Sequence, residues 1–253
     1  MKVVIIGSGN VASVLGRLIK NAGHDILQVV SRNEKNAVLL AAELGCTFAE
    51  NKATITKDAE IYLVAVSDNA LNDIDQACSF NNKLVVHTAG SIPTDVLKNT
   101  STSYGVLYPL QSLRKENAAL QLDIPLLING NTPATTGIIQ EFALTISSSV
   151  KVVADAQRFK LHVAAVFVSN FTNHLYRLAA DYCEKEQLDF LMLQPLIEET
   201  ALRLRHYSAA DMQTGPAIRK DITTLDKHLR ELATYPALRN IYLKLSDSIM
   251  NYQ

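Results

Sequence analysis

The sequence predicts an α/β protein: a doubly wound, mostly parallel sheet over residues 1–154, followed by an all-helical domain over residues 155–253. Three observations predict it. Short runs rich in β-branched residues alternate with helical stretches from Lys2 to Val153, the pattern of helices laid against a parallel sheet. The first of those runs passes directly into a glycine turn and a helix. Beyond Asp155 no strand pattern recurs, and helical periodicity takes over to the C-terminus.

Lys2 to Ile6 is a buried strand by its unbroken apolar character, and Gly7 bounds it. Gly7-Ser8-Gly9-Asn10-Val11-Ala12 follows, and Val11 to Ala22 has helical periodicity closed by Gly23. Strand, glycine turn and helix in that order form the dinucleotide fingerprint of a Rossmann-type domain. Gly7 permits the tight turn, Gly9 lets the backbone approach a pyrophosphate, and Ala12 keeps helix and strand close. Free N–H groups at the helix start favour an anion. The plainer alternative is a glycine-cornered unit that binds nothing.

Ile26 to Val30 is the second strand, and Ser31-Arg32-Asn33 ends it. In dinucleotide folds this place, roughly 20 residues past the glycines, meets the adenosine ribose. No acidic residue stands there to accept from a 2′-hydroxyl. Ser31 and Arg32 instead suit a 2′-phosphate, so the expected cofactor is NADP. Alternatively Arg32 is a solvated charge at the start of a loop.

The later elements follow in turn. A helix spans Glu34 to Leu44, Cys46 to Ala49 is a short third strand, and Ile61 to Val66 is a fourth. Asp68 or Asn69 caps a helix from Leu71 to Cys78. Leu84 to His87 is the fifth strand, Tyr104 to Tyr108 the sixth, and Ile124 to Ile128 the seventh, with Asn129-Gly130-Asn131 as its turn. Thr132 caps a helix from Pro133 to Ile146, and Lys151 to Val153 is a last strand. Strand ends in parallel sheets face the ligand crevice, so Val66, Ser67, His87, Ala89 and Gly90 are expected to border the cofactor. In the second domain one long helix runs from Ala156 to Glu186, about 45 Å if unbroken. Helices at Met192–Leu204, Asp221–Leu232 and Pro236–Met250 follow, with a break at Gln213–Pro216. No Gly/Ser linker joins the two domains, so a rigid junction is expected.

Composition limits the function classes. The chain has 253 residues, of which 48% are hydrophobic, so a sizeable core can form. Its net charge of -1 provides no basic field for nucleic acid and no polybasic segment for a membrane. The apolar run Val163–Val168 is too short to span a bilayer. No signal-peptide pattern precedes the first strand. Cys46, Cys78 and Cys183 form no CxxC pair, which fits reduced thiols, a cytoplasmic location and no metal cage.

These motifs resemble the cofactor domains of pyrroline-5-carboxylate reductases and deazaflavin-linked NADP oxidoreductases. The carrying segments are Gly7 to Ala12, Ser31 to Asn33, Val64 to Asp68 and Val86 to Ser91. His162 to Asn170, Thr214 to Asp221 and His228 are similar to the helical half of a bacterial family, a domain of unknown function. The resemblance implies an NADP-dependent reductase of a small carbonyl or imine compound, with 2-oxo acids such as ketopantoate within that class. The family pattern usually has glycine between the arginine and the aspartate, where this chain has Lys220. Related dehydrogenases usually carry a lysine four residues before an asparagine on the first helix of the second domain. Here that place is Val166, and His162 is the nearest replacement. A non-catalytic NADP-binding regulatory or assembly protein is the alternative that the missing lysine leaves open.

At about 100° per residue, Ser169 and Asn173 each fall roughly 20° from His162, and Asn170 falls about 80° away. The expected roles are His162 as general acid and Asn170 as the orienting donor. His87 is the competing acid, and His162 and Asn170 could equally be satisfied interface polars. Arg219 could hold a carboxylate and Asp221 could fix the substrate, or Gly215 to Asp221 could simply start a helix. Tyr62, Tyr104 and Tyr108 read as core and interface. The apolar cluster Leu191, Met192, Leu193, Leu196 and Ile197 predicts a two-fold homodimer through the helical domain.

Overall fold

The computed structural model describes residues 1–50, 54–72, 74, 79–117 and 123–252. The chain forms two compact units, Met1–Asn170 and Phe171–Gln253.

The first unit is built on one eight-stranded sheet. In chain order it contains β1 (Lys2–Ile6), α1 (Asn10–Asn21), β2 (Asp25–Val30), α2 (Glu34–Leu44), β3 (Thr47–Ala49), β4 (Ile61–Val64) and α3 (Asp68–Asn72). After them come β5 (Leu84–His87), β6 (Ser103–Pro109), β7 (Leu126–Gly130), α4 (Pro133–Ile146), β8 (Val150–Val152) and α5 (Asp155–Ala165). The strand order is β3-β2-β1-β4-β5-β6-β7-β8. All neighbours are parallel except β6 and β7. The chain steps from β1 to β2 on one side and returns to β4 on the other. That reversal leaves a crevice beyond the carboxyl ends of β1 and β4, where open α/β sheets take ligands.

Alternating residues of each strand feed two cores. Val3, Ile5, Leu63, Val86 and Leu107 pack on one face, and Val4, Ile6, Tyr62, Val64 and Val85 on the other. Burial on both faces is why these strands read as continuous apolar runs. Each such aliphatic side chain contributes about 1.5–3 kcal/mol when fully buried. Gly16 on α1 lets that helix approach the sheet, since a Cβ there would lie 3.1 Å from the Ile5 side chain and 2.9 Å from that of Leu44.

Several elements differ from the sequence reading. The strand β4 stops at Val64, two residues before the expected end, and the Ala65 carbonyl beyond it lies against Gly7. Asp68 opens α3 and does not cap it; its carboxylate accepts a hydrogen bond from Ser91 instead. Most of the expected Leu71–Cys78 helix lies outside the described residues. Asn129 and Gly130 belong to β7, held in the ladder against Val106 and Gly105, so the expected turn begins later. The first compact unit extends to Asn170, past the change of pattern at Asp155. The cause is local: the Asp155 carboxylate accepts from the Thr94 N–H at 2.8 Å and from its hydroxyl at 2.5 Å, tying α5 to the sheet loops.

The expected single long helix is three pieces. After α5 comes a π-helical turn, Val166–Phe171, and then α6 (Thr172–Lys185). The second unit continues with a 3-10 turn at Phe190–Leu193, α7 (Gln194–Leu202), α8 (Ile222–Glu231) and α9 (Pro236–Asn251). Tyr182 and Tyr235 meet edge to face at 5.1 Å within it. Among the described residues no helix is long and apolar enough to cross a membrane.

Candidate active site

Two adjoining grooves follow the carboxyl ends of the central strands. The first, about 360 Å³, is lined by the glycine turn, the end of β2 and the segment after β4, including Gly7, Ser8, Ser31, Arg32 and Ser67. The second, about 310 Å³, is lined by Gly9, Asn10, Val11, Val66, Ser67, Asp68, Thr88, Ala89 and Gly90. They share Gly9, Ala65, Val66 and Ser67, so an extended ligand has one continuous path across the switch point.

The turn fits a dinucleotide. Gly7 has φ 122°, and a Cβ there would fall 2.0 Å from the Ala65 carbonyl oxygen; only glycine can stand there. At Gly9 a Cβ would meet nothing within 4 Å, which leaves the backbone open to a ligand. Gly9 is the N-cap of α1 and supplies no side-chain cap, so early N–H groups of this helix are free for a phosphate. Ala12 is buried against the core. Ser8 donates to the Ser31 hydroxyl at 2.7 Å, and Ser31 accepts from the Asn33 N–H at 3.2 Å. This chain of bonds fixes the end of β2 beside the glycine turn. Asn10 has a structural task as well, accepting from the Lys115 N–H at 3.3 Å.

Arg32 is exposed at the rim of the first groove. Glu50, just past β3, lines the same groove. No local pattern at the end of β2 points to this carboxylate, because the sheet brings it in from the next strand over.

His87 does not border the grooves. Its ring is fully buried, and Nδ1 accepts the Ala89 N–H at 3.2 Å. Burial, aided by the nearby Arg158 charge, pushes its pKa down to about 4. A neutral, enclosed imidazole is a poor proton donor at pH 7. Its contribution to the crevice is to hold the Ala89 amide and so shape the loop carrying Gly90.

His162 is placed differently. It lies on α5, partly exposed, with Nδ1 3.0 Å from the Tyr108 hydroxyl at the carboxyl end of β6. The two rings meet edge to face at 5.9 Å. Both pack over Gly90: a Cβ there would come within 2.8 Å of His162 Nδ1 and 2.8 Å of Tyr108 Cζ. The pair therefore abuts the second groove. Tyr108 was missed in the sequence because a tyrosine ending a buried strand is usually packing. Only the parallel pairing of β6 with β5 shows that it rises at the ligand end of the sheet.

Arg158 underlies this cluster. Its side chain is 1% exposed, pairs with Asp155 at 2.6 Å and donates to the Ile92 carbonyl, while Nε has no partner. Burial works to raise the Asp155 pKa, but hydrogen bonds from Thr94 and Arg158 outweigh it and hold the carboxylate below its ordinary range. Burial pushes the Tyr108 phenol up, and Arg158 draws it partly back.

Ser169 and Asn170 stand in the π turn, where i→i+5 bonding breaks the 100° phase used in the sequence reading. They line a third groove of about 540 Å³ with Leu110, Gln111, Ser112 and Leu161. Asn173 belongs to α6, in the second unit. Asp221 is the N-cap of α8, accepting from the Thr224 N–H at 3.1 Å and hydroxyl at 2.7 Å. These bonds hold its pKa down. This geometry is that of the helix-start alternative. Lys220 before it has φ 53°, the left-handed conformation that glycine takes without strain. Among the described residues no group of three or more His, Cys, Asp or Glu side chains could hold a metal ion.

Residues 2–90 match the family described as NADP oxidoreductase coenzyme F420-dependent, and residues 124–249 match a domain of unknown function, DUF2520. A Bacteroides fragilis protein described as an NADP oxidoreductase is 37% identical, with 98% of this chain and 97% of that chain covered and a TM-score of 0.92. A 1-pyrroline-5-carboxylate reductase from Streptococcus pyogenes shares the fold at 14% identity and TM-score 0.65, covering 99% of this chain and 98% of its own. So does an imine reductase from Myxococcus stipitatus in complex with NADP+, at 15% identity and TM-score 0.61, covering 99% and 92%. No curated protein matches the chain.

Proposed function

The chain belongs to the NADP oxidoreductase family, and on that premise we propose that it reduces the C=N or C=O bond of a small compound with NADPH. The Gly7-Ser8-Gly9-Asn10-Val11-Ala12 turn would hold the pyrophosphate, Ser31 and Arg32 the 2′-phosphate, and Val66, Ser67, Ala89 and Gly90 the nicotinamide side. Bound there, the cofactor supplies the hydride. The observation that carries the reading is the Tyr108–His162 pair packed over Gly90, at the end of the second groove.

Hydride delivery to carbon leaves electron density on nitrogen or oxygen, and a proton must meet it. His162 provides it, being partly open to solvent, with an imidazole that can regain a proton from water. Asn170 orients the substrate from the third groove through its amide. That groove has no charged side chain among its described lining residues, which supports a neutral or imine-bearing substrate body over a strongly anionic one. Leu191, Met192 and Leu196 are 68%, 79% and 62% exposed on the second unit. An apolar surface of this kind supports a homodimer through the helical unit. A cytoplasmic location completes the proposal, consistent with free thiols at Cys46 and Cys183.

NADPH consumption against a panel of cyclic imines, acyclic imines, aldehydes and 2-oxo acids including ketopantoate tests the reading. Turnover with at least one C=N or C=O compound, with reduced product identified by mass, is expected. Tight NADPH binding with no turnover on any member contradicts it.

A further inference from the structure

We propose that Tyr108 is a catalytic residue and the last station of the proton: its hydroxyl hands the proton to the substrate, and His162 refills it. The inference rests on the reductase reading above and names the atom through which His162 acts.

Geometry carries it. The hydroxyl and His162 Nδ1 are 3.0 Å apart, a distance for direct transfer without bridging water. Tyr108 stands at the carboxyl end of β6, on the side of the sheet where β1, β4 and β5 end at the cofactor grooves. Leu110 and Gln111, immediately beyond it, line the groove assigned to substrate. Gly90, a lining residue of the second cofactor groove, has no side chain where the two rings lie, and any Cβ would displace them. Gly90 therefore reserves space for both rings together beside the second groove.

The step balances. Hydride arrives at carbon, and the π electrons of C=N or C=O move to the heteroatom. That atom takes the Tyr108 proton as the O–H bond breaks. The phenolate takes the proton on Nδ1 of the imidazolium, leaving His162 neutral until solvent restores it. Arg158 from α5 is the charged group that acts on the Tyr108 phenol, and it is paired with Asp155. Arg158, fixed by Asp155 and the Ile92 carbonyl, places a permanent positive charge near the phenolate as it forms. Burial keeps the phenol protonated beforehand.

Tyr108→Phe, His162→Gln and the double variant test this in turnover assays and, without cofactor, by nitrogen-15 NMR of the His162 ring. Tyr108→Phe is expected to lower kcat about 10²-fold at unchanged NADPH affinity and to move the Nδ1 resonance. The double variant should be no slower than the slower single one, as for residues acting as a unit. If His162→Gln is slow and Tyr108→Phe turns over like wild type, the relay is wrong and the reductase site stands. If both turn over like wild type, the reading of the site itself fails. A double variant slowed by the product of the single effects also overturns the relay. Should Tyr108→Phe fail to fold, Gly90→Ala replaces it. Displacing the pair, it should lower kcat and shift Nδ1, and wild-type values for both would overturn the proposal.

Discussion

The Tyr108 hydroxyl lies 3.0 Å from Nδ1 of His162, joining the carboxyl end of β6 to α5. The partners are 54 residues apart in sequence, and one hydrogen bond places the histidine of the helix beside the loop that carries Gly90. The Asp155–Thr94 and Arg158–Ile92 bonds hold the same helix from behind. Position, and no unusual residue type, makes this histidine the candidate acid.

Cofactor selectivity is the first consequence. Wild-type protein should bind NADPH more tightly than NADH by calorimetry. Arg32→Ala should remove most of the difference, about 1–3 kcal/mol for a charged hydrogen bond. Glu50→Gln, which removes a negative charge from the same groove, should increase the preference. Equal wild-type affinities would refute the role given to Ser31 and Arg32.

Buried His87 makes stability fall in acid. Its folded pKa of about 4 lies below the ordinary 6.5, so between those values the unfolded chain binds more protons. The stabilisation is fully present above pH 6.5 and is lost as pH falls toward 4, on the order of 3 kcal/mol in all. His87→Asn, whose side-chain oxygen can still accept from Ala89, should flatten the denaturant-derived stability profile across that window. An unchanged slope would mean the ring charges without cost.

Lys220 sits at φ 53°, a conformation costing a non-glycine residue roughly 1–2 kcal/mol. Glycine would remove that cost and give back about 0.5–1 kcal/mol in chain entropy. Lys220→Gly should therefore raise the melting temperature by about 2 °C, whereas Lys220→Val should lower it. A lower melting temperature for the glycine variant would show that the lysine side chain stabilises the turn through its contacts.

Assembly is checked by light scattering at micromolar concentration. A mass twice the 27.8 kDa of one chain is expected. Met192→Asp, placing a charge on the exposed apolar surface of the second unit, should shift it toward monomer. A monomeric wild type would contradict the dimer.

The parts of the fold that local rules govern were legible in the sequence. β1, the glycine turn and α1 were, since apolar runs, glycine and helical periodicity act over a few residues. Thr132 as the cap of α4 was equally plain. The π turn at Val166–Phe171 was not, because no proline or glycine marks the extra residue and its β-branched, aromatic and small polar residues all occur within ordinary helices. That one residue cancelled the phase argument linking His162 to Ser169 and Asn170. Tyr108 and Glu50 were hidden for another reason: strand order brings each to the ligand end of the sheet, and no local pattern encodes strand order. Asp221 was legible both ways, and the cap it forms with the N–H and hydroxyl of Thr224 is the helix-start one of the two.

The most direct test compares His162→Gln with wild type on the best substrate of the panel, measuring kcat and NADPH affinity separately. A fall in kcat of roughly 10²–10⁴-fold with NADPH affinity nearly unchanged is predicted, and Asn170→Ala should cost less. Wild-type turnover in His162→Gln, or a loss arising wholly from weaker NADPH binding, would contradict the assignment of the proton to this side of the crevice.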